Sequence, residues 1–223
     1  MELNLSEYTK FVRNYPAMIT DIFLQLVTKY AKDHELANNL WLEIFTKYSE
    51  PKRQYHTIAH LEALLTDLKE VKEHIHDWET TLLAVFYHDS IYKASSSSNE
   101  EDSAKLAKLR LVEIGYSIEK IAKCVAVILA TKLHEPSEDN DTNYLLDADL
   151  AILGVSQEDY QKYTEQIRAE YTIYPEFMYA SGRKKALQHF LQMERIYKTE
   201  HFFKKYEKQA RVNIHNELEL LQQ

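Results

Sequence analysis

The feature that most constrains the fold of this chain is the spacing of its apolar residues, combined with a shortage of turn-forming residues. Apolar side chains recur at intervals of three and four positions rather than two, which is the period of an amphipathic helix. Only three glycines and four prolines occur in 223 residues, so few positions favour tight turns. The sequence therefore predicts an all-α protein, and a chain of this length can bury one core as a single domain spanning 1–223.

The same periodicity predicts ten helices, with ends defined to within a few residues. They span residues 16–31, 35–48, 57–73, 78–90, 100–114, 118–132, 143–153, 157–171, 176–203 and 205–221. No internal repeat, linker or change in composition argues for a second domain. We expect a central core at about 53–154, with the helices of 155–223 packed on it.

Charge and composition exclude several classes of partner. A net charge of −8 and a pI near 5.7 argue against nucleic-acid polymers, because phosphate backbones bind to basic surfaces. No segment is apolar for long enough to span a membrane, and the first residues lack the regions of a signal peptide, so we expect a cytoplasmic protein. The single cysteine, Cys124, lies in an apolar helical segment and is expected to be a core residue in a reducing compartment.

Two His-Asp dipeptides occur in the chain, and their surroundings differ. His76-Asp77 lies among charged residues, where Asp77 can cap the helix that follows. His88-Asp89 ends the apolar run 81–87, which should be buried, and a buried carboxylate needs a partner because its desolvation is costly. Something cationic should therefore meet Asp89. A hydrogen bond from the histidine or a salt bridge to a lysine or arginine is the alternative to a metal ion.

Further candidate metal ligands lie on both sides of this second dipeptide. His56 and His60 are four residues apart in a segment with helical periodicity, so both can face the same place. Apolar neighbours favour His60 as a ligand, while His56 lies nearer the helix start and faces substrate or solvent. Asp147 and Asp149 point to different sides of a helix, and their neighbours favour Asp149 as the ligand and Asp147 as a supporting or capping residue.

In chain order, His60, His88-Asp89 and Asp149 form a pattern that resembles the signature of the HD superfamily of metal-dependent phosphohydrolases. The similarity covers about residues 53–154, and the chain looks like a small bacterial-type member. The resemblance implies an HD-domain helical bundle like that of phosphodiesterases, and an enzyme that cleaves a phosphoester with a metal-activated water. The substrate implied is small, phosphorylated and nucleotide-like.

The resemblance also implies a divalent cofactor, which His60, His88, Asp89 and Asp149 would bind while about two octahedral positions stay open for water and substrate. Mixed nitrogen and oxygen ligands do not select strongly among metals. Mn²⁺, Fe²⁺, Ni²⁺, Co²⁺, Mg²⁺ and Zn²⁺ are therefore all candidates.

The segment 55–60, Tyr-His-Thr-Ile-Ala-His, is similar to the Tyr-His-Asn-x-x-His element of cyclic-nucleotide phosphodiesterases. In those enzymes the first histidine protonates the leaving oxygen and the second binds metal, which implies these roles for His56 and His60. Likewise, Ala148-Asp149-Leu150 resembles the Ala-Asp-Leu that carries their last ligand. A threonine replaces the usual asparagine, and residues 90–92 lack the histidine of the second-metal platform, so cleavage of cyclic nucleotides is not implied.

The serine-rich segment 94–103 is predicted to form a mobile loop at the mouth of the site and to end in a helix with an acidic first turn. A solvated linker with a helix cap is the alternative. HD proteins often carry an acidic residue soon after His-Asp that positions water, and Glu101 is the first candidate, before Glu100 and Asp102. Asp89 or such an acid could take the proton of the attacking water.

Four residues are candidates for substrate binding. HD proteins often place a histidine at a position like that of His134, as an added metal ligand or a phosphate contact. A histidine stabilised by the dipole at the C-terminus of a helix is the alternative. Arg53, Lys132 and Arg183 are basic candidates for a phosphate clamp.

Other functions stay open at this stage. A di-iron oxygenase on the same fold would need extra histidine ligands, and His134 is one. A nonenzymatic regulatory protein could bind the same metal or a nucleotide, although open coordination positions favour an enzyme. A carboxylate-bridged bundle would need two Glu-x-x-His motifs, and only residues 73–76 fit. The oligomeric state, monomer or homodimer, is also left open.

Overall fold

A computed structural model of the protein describes residues 17–221, and every regular element in this range is helical. The prediction of an all-α protein is therefore confirmed. The helices are α1 (Ala17–Val27), α2 (His34–Tyr48), α3 (Ile58–Glu70), α4 (Trp78–Tyr87), α5 (Asn99–Glu113), α6 (Ile118–Ala130), α7 (Asn140–Asp149), α8 (Gln157–Glu170), α9 (Glu176–Gln192) and α10 (Glu200–Leu220). Short 3₁₀ turns occur at Lys72–His74 and Leu150–Gly154.

Several helices begin at short polar side chains that accept a hydrogen bond from the backbone N–H three residues later. Such a cap satisfies a donor that the first turn leaves free. The capping residues are Asp33, Asp77, Ser117, Asp139 and Ser156. The prediction that Asp77 caps a helix is thus confirmed, and His76-Asp77 is part of a helix start.

Helix α4 lies at the centre of the core. Each residue from Thr80 to Tyr87 is buried, which explains why this segment is apolar on all sides. Around it, the rings of Phe23 and Phe86 meet edge to face with centroids 4.9 Å apart, and Trp41 packs 5.5 Å from Phe23. Because α4 is central, the residues that follow its C-terminus are held in the interior.

The predicted helix 176–203 is wrong, because the structure divides it into α9 and α10. Between them the chain is extended at Met193 and does not resume a helix until Glu200. The backbone N–H groups of this connection donate to two buried carboxylates, one in the helix that follows and one in α7. Ile196 and Tyr197 donate to Glu207, and Lys198 and Thr199 donate to Asp147. Tertiary contacts therefore override the local helical pattern.

The C-terminal helices pack on the central core. Helix α10 packs against the 3₁₀ turn Leu150–Gly154 so closely that a Cβ at Gly154 would lie 2.5 Å from the Cβ of Tyr206. The Asn213 side chain donates to the carbonyls of Leu153 and Val155, both at 2.9 Å. Cys124 is fully buried, as predicted. Among the helices of residues 17–221, none combines the length and the apolar character needed to cross a membrane.

Candidate metal centre

Three side chains from separate helices meet in the interior and could hold a metal ion. His60 lies in the first turn of α3, His88 directly follows α4, and Asp149 ends α7. One donor atom from each lies within 4.8 Å of the others. The Nε2 atom of His60 is 3.3 Å from that of His88 and 3.1 Å from Asp149 Oδ1, and both imidazoles are buried. Imidazole and carboxylate donors at this spacing suit a divalent transition metal.

Asp89 lies next to this cluster. Its Oδ2 atom is 3.2 Å from His88 Nε2 and 3.8 Å from His60 Nε2. The same oxygen is 3.8 Å from Nε2 of His56. Asp89 therefore connects the His-His-Asp cluster to a third histidine.

We compared the chain with models of protein families, with curated proteins and with solved structures. None of them matches. The helical fold and the buried cluster of His60, His88 and Asp149 are compatible with an HD-type fold.

The orientation of His88 fits a metal ligand. Its Nδ1 atom lies 2.8 Å from the carbonyl oxygen of Val85, which can only accept, so Nδ1 carries the proton. Nε2 is then the atom directed at the cluster. A backbone carbonyl that fixes the imidazole in this way is the usual support for a histidine that binds metal through its other nitrogen.

The charges of the site also fit a bound cation. Burial lowers the pKa of His88, but Asp89 and Asp149 outweigh this effect and hold that pKa well above its usual value. Burial lowers the pKa of His60, and its net value stays below the ordinary one. In the protein without metal, a proton on His88 thus offsets part of the charge of two buried carboxylates. A divalent ion would replace that proton and offset both charges.

Asp147 and Asp149 face in different directions, as their spacing predicts. Asp149 faces the imidazoles, and 13% of its side chain is exposed. Asp147 is fully buried and accepts hydrogen bonds from the N–H groups of Lys198 and Thr199, both at 2.7 Å, and from the Thr199 hydroxyl at 2.8 Å. Asp147 therefore attaches the start of α10 to α7.

Glu170, at the end of α8, holds His56 in place. Its Oε1 accepts the backbone N–H groups of Gln54, Tyr55 and His56 at 2.8–2.9 Å. Its Oε2 lies 2.6 Å from Nδ1 of His56, and Tyr92 stacks on the imidazole with centroids 4.1 Å apart. Nε2 of His56 is thereby directed to Asp89. Glu170 was not predicted from the sequence, because it lies beyond the predicted site core of 53–154.

Arg53 does not face the site, in contrast to the predicted role in phosphate binding. Its guanidinium is buried and donates to the carbonyls of Asp89 at 2.7 Å, Ser90 at 3.1 Å and His56 at 3.2 Å. The side chain of Tyr48 packs against it, with the ring centroid 5.0 Å away. Arg53 therefore fixes the two loops that carry His56 and Asp89.

A cavity of about 740 Å³ opens over the centre. His56, Asp89, His134 and Asp149 line one end of it, and His60 and His88 are buried behind these residues. A cavity of this size can accommodate a drug-sized ligand. The serine-rich segment after α4 also contributes to the lining, as predicted, through Ala94, Ser96 and Ser97 among others.

Lys132 and Glu101 pair with each other at the mouth of the cavity. The Lys132 ammonium contacts the carboxylate of Glu101 in a very short ion pair and donates to the carbonyl of Ser97 at 2.7 Å. Lys132 lines the cavity. Of the acidic residues in the first turn of α5, Glu100 lines it and Glu101 does not. The predicted preference for Glu101 over Glu100 as a catalytic acid therefore does not fit the geometry.

His134 lies beside Asp149 in a strained turn. Its backbone has φ +53°, a left-handed conformation that is uncommon for residues other than glycine. Its Nε2 is 3.6 Å from Asp149 Oδ2, and burial lowers its pKa to about 4, so the imidazole is neutral. Within residues 17–221 its buried Nδ1 makes no hydrogen bond. His134 can therefore offer a nitrogen to a metal or a ligand.

Proposed function

We propose that the protein is a metal-dependent phosphohydrolase of the HD type, which cleaves a phosphoester of a small, nucleotide-like substrate. The observation that supports this proposal is that the His60–His88–Asp149 cluster borders a large cavity, which His56 also lines. A structural metal site would be closed, whereas a catalytic site keeps access for substrate.

Four side chains would hold the metal: His60, His88, Asp89 and Asp149. A bound divalent ion supplies a Lewis acid that polarises the phosphoryl group and lowers the pKa of a water. Because Asp89 and Asp149 line the cavity while both histidines are buried, the carboxylate side of the cluster is the side that substrate reaches.

His56 is suited to protonate the leaving oxygen. Burial lowers its pKa, but Asp89 and Glu170 outweigh burial and raise the pKa above its usual value. Glu170 also fixes the tautomer, because a proton on Nδ1 donates to its carboxylate 2.6 Å away. A protonated, oriented imidazole that lines the cavity can act as a general acid.

The geometry favours hydrolysis over the oxygenase alternative. A second metal would need another set of clustered histidines and carboxylates, and one such group was found within residues 17–221. His134 adds a single imidazole beside Asp149. One metal-binding group beside a general acid is sufficient for ester hydrolysis.

A phosphate-release screen tests this function. The protein would be stripped with a chelator, reloaded with each of the six candidate metals, and assayed on nucleoside monophosphates, dinucleotides and sugar phosphates. We expect phosphate release from at least one ester, a loss of more than about 10³-fold in His60→Ala because the metal is lost, and full activity in the exposed control His74→Ala. His60→Ala with full metal content and full activity would refute the proposal. Oxygen uptake without phosphate release would favour the oxygenase.

A further inference from the structure

One glycine of this chain has no explanation in the fold itself. Gly115 adopts φ +73° in the turn after α5, and a Cβ at Gly154 would collide with Tyr206. Gly182 lies in the interior of α9 without a left-handed backbone, and a Cβ there would meet no atom within 4 Å. Glycine destabilises a helix interior relative to alanine. Gly182 is exposed and lines the cavity, so the space beside it is open to a ligand that binds there.

The surroundings of Gly182 show what that space can hold. Gly182 lies on one face of α9 with Met178 and Ala186, at a spacing of four residues, and all three line the cavity. Four aromatic rings line the same cavity: Tyr163, Tyr171, Tyr174 and Tyr179. Gly182 has no side chain and Ala186 a small one, so the cavity stays open near these rings and suits a flat group.

The tyrosines form a connected set. The rings of Tyr171 and Tyr174 are stacked with centroids 6.2 Å apart and an interplanar angle of 28°, and Tyr179 lies 6.0 Å from Tyr171. The guanidinium of Arg168 packs over Tyr179 at 4.7 Å. These contacts hold the rings in place before a ligand arrives. Tyr171 and Tyr174 are only half-buried, so a flat ligand can stack on their aromatic surface with little reorganisation.

Arg183 provides polar recognition in the same region without a strong net charge. Glu217 accepts from Nε at 2.7 Å and from Nη2 at 3.0 Å, and Tyr163 accepts from Nη1 at 3.1 Å. Only 9% of the Arg183 side chain is exposed. A guanidinium has five N–H donors, so these three contacts leave two. Because Glu217 offsets its charge, Arg183 is better suited to the polar edge of a neutral ring than to a second phosphate.

We propose that this tyrosine subsite, formed by Tyr163, Tyr171, Tyr179, Gly182 and Arg183, binds the base of a nucleoside monophosphate. Its phosphate would lie at the metal centre. The inference rests on the proposed phosphohydrolase function and names its substrate class: nucleotides rather than sugar phosphates. Every base has an aromatic face that stacks on tyrosine, and Gly182 permits close approach of the helix backbone.

A comparison of two substrates tests the subsite directly. Nucleoside 5′-monophosphates and ribose 5-phosphate share the phosphate and the sugar, but only the former have a base. With the metal-loaded protein, we expect kcat/KM to be about tenfold higher for one or more of the nucleotides, since stacking of one base contributes a factor of this order. Equal values for ribose 5-phosphate and all four common nucleotides would overturn the proposal.

Substitutions at Gly182 locate the effect. Gly182→Phe fills the space beside the tyrosines and should reduce the ratio of kcat/KM between nucleotide and ribose 5-phosphate from about tenfold to near one. Tyr171→Leu removes a ring instead and should also reduce the ratio, which covers the case that Gly182→Phe does not fold. Gln188→Phe adds the same ring to α9 at an exposed position outside the cavity lining and should leave the ratio unchanged. A ratio that persists in both subsite variants would overturn the assignment.

Binding of nucleosides separates this inference from the hydrolytic function. Adenosine, guanosine, cytidine and uridine lack phosphate, so their calorimetric affinity reports on the subsite alone. If no ester is hydrolysed but a nucleoside binds, and Gly182→Phe weakens it about tenfold, the subsite stands and the phosphohydrolase proposal fails. If nucleotides and ribose 5-phosphate are hydrolysed equally well and no nucleoside binds, the subsite proposal fails and the phosphohydrolase proposal stands.

Discussion

The two ends of helix α4 carry the same dipeptide in different surroundings. At the N-terminal end, His76 is exposed, and Asp77 accepts the N–H and hydroxyl of Thr80 at 3.2 Å and 2.8 Å. At the C-terminal end, His88 is buried and Asp89 lies 3.2 Å from its Nε2. One dipeptide is a helix cap, and the other belongs to the candidate metal centre.

The direction of the helix explains this difference. The first turn has free N–H donors and the positive end of the helix dipole, so a carboxylate such as Asp77 is stabilised there without a metal. The last turn presents carbonyl oxygens and the negative end, which repel a carboxylate. Asp89 therefore needs a cation from elsewhere, and the imidazoles of His56, His60 and His88 lie within 3.8 Å of its Oδ2.

The helix cap and the candidate metal centre each have nearby a carboxylate from a distant part of the chain that accepts backbone N–H groups. Asp141 accepts those of His76 and Asp77 at 2.7 Å and 2.9 Å, while Glu170 accepts that of His56 and also its imidazole. We expect Glu170→Gln to lower kcat about 10–100-fold, because an amide has one accepting oxygen and cannot accept both the backbone N–H groups and the Nδ1 proton of His56. Initial rates and bound metal would be measured together.

Asp141→Asn is the matched control for this variant. It loses a carboxylate that accepts backbone N–H groups and pairs with Lys123 at 2.7 Å, so stability should fall while kcat stays the same. An equal loss of kcat in both variants would mean that Glu170 acts through stability alone.

A smaller effect is expected at Asp77. Removal of the cap in Asp77→Ala should lower the free energy of unfolding by about 1 kcal/mol at pH 7 and leave bound metal unchanged. Burial raises the pKa of Asp77, but the Thr80 hydrogen bonds and Lys120 outweigh it and hold the pKa below its usual value. The contribution is therefore present above the unfolded pKa of about 3.9 and is lost as the pH falls through the lower folded value.

Denaturant unfolding of Asp77→Ala and the wild type at pH 7 and near pH 3 would measure this difference. The difference in free energy of unfolding between the two proteins should be smaller at the acidic pH. A gap that widens in acid, or a loss of metal in the variant, would remove the proposed distinction between the two ends of α4.

Local patterns predicted the helices well because apolar periodicity and capping residues act within one or two turns. They failed at 193–199, where the backbone N–H groups donate to Glu207 in the next helix and to Asp147, 51 residues before Lys198 in the chain. The convergence of His60, His88 and Asp149 could be predicted from residue types and order. Glu170 could not, since it contacts a residue 114 positions away and lies in an ordinary polar helix.

The charge of an arginine also did not predict whether its side chain faces the cavity. Arg53 and Arg183 are both basic residues in polar segments, and the sequence assigned both to phosphate. In the structure Arg53 donates to loop carbonyls and is not among the residues that line the cavity, whereas Arg183 lines the cavity and pairs with Glu217. Which way such a side chain points depends on acceptors that only the folded chain brings close.

We propose that the C-terminal end of α4, and not its N-terminal end, takes part in binding metal. The most direct measurement is the metal content of His88→Ala and His76→Ala, stripped with a chelator and reloaded in parallel with the wild type. We predict about one ion per chain in the wild type and in His76→Ala, and less than about a tenth of that in His88→Ala. Equal metal content in all three proteins would contradict the account.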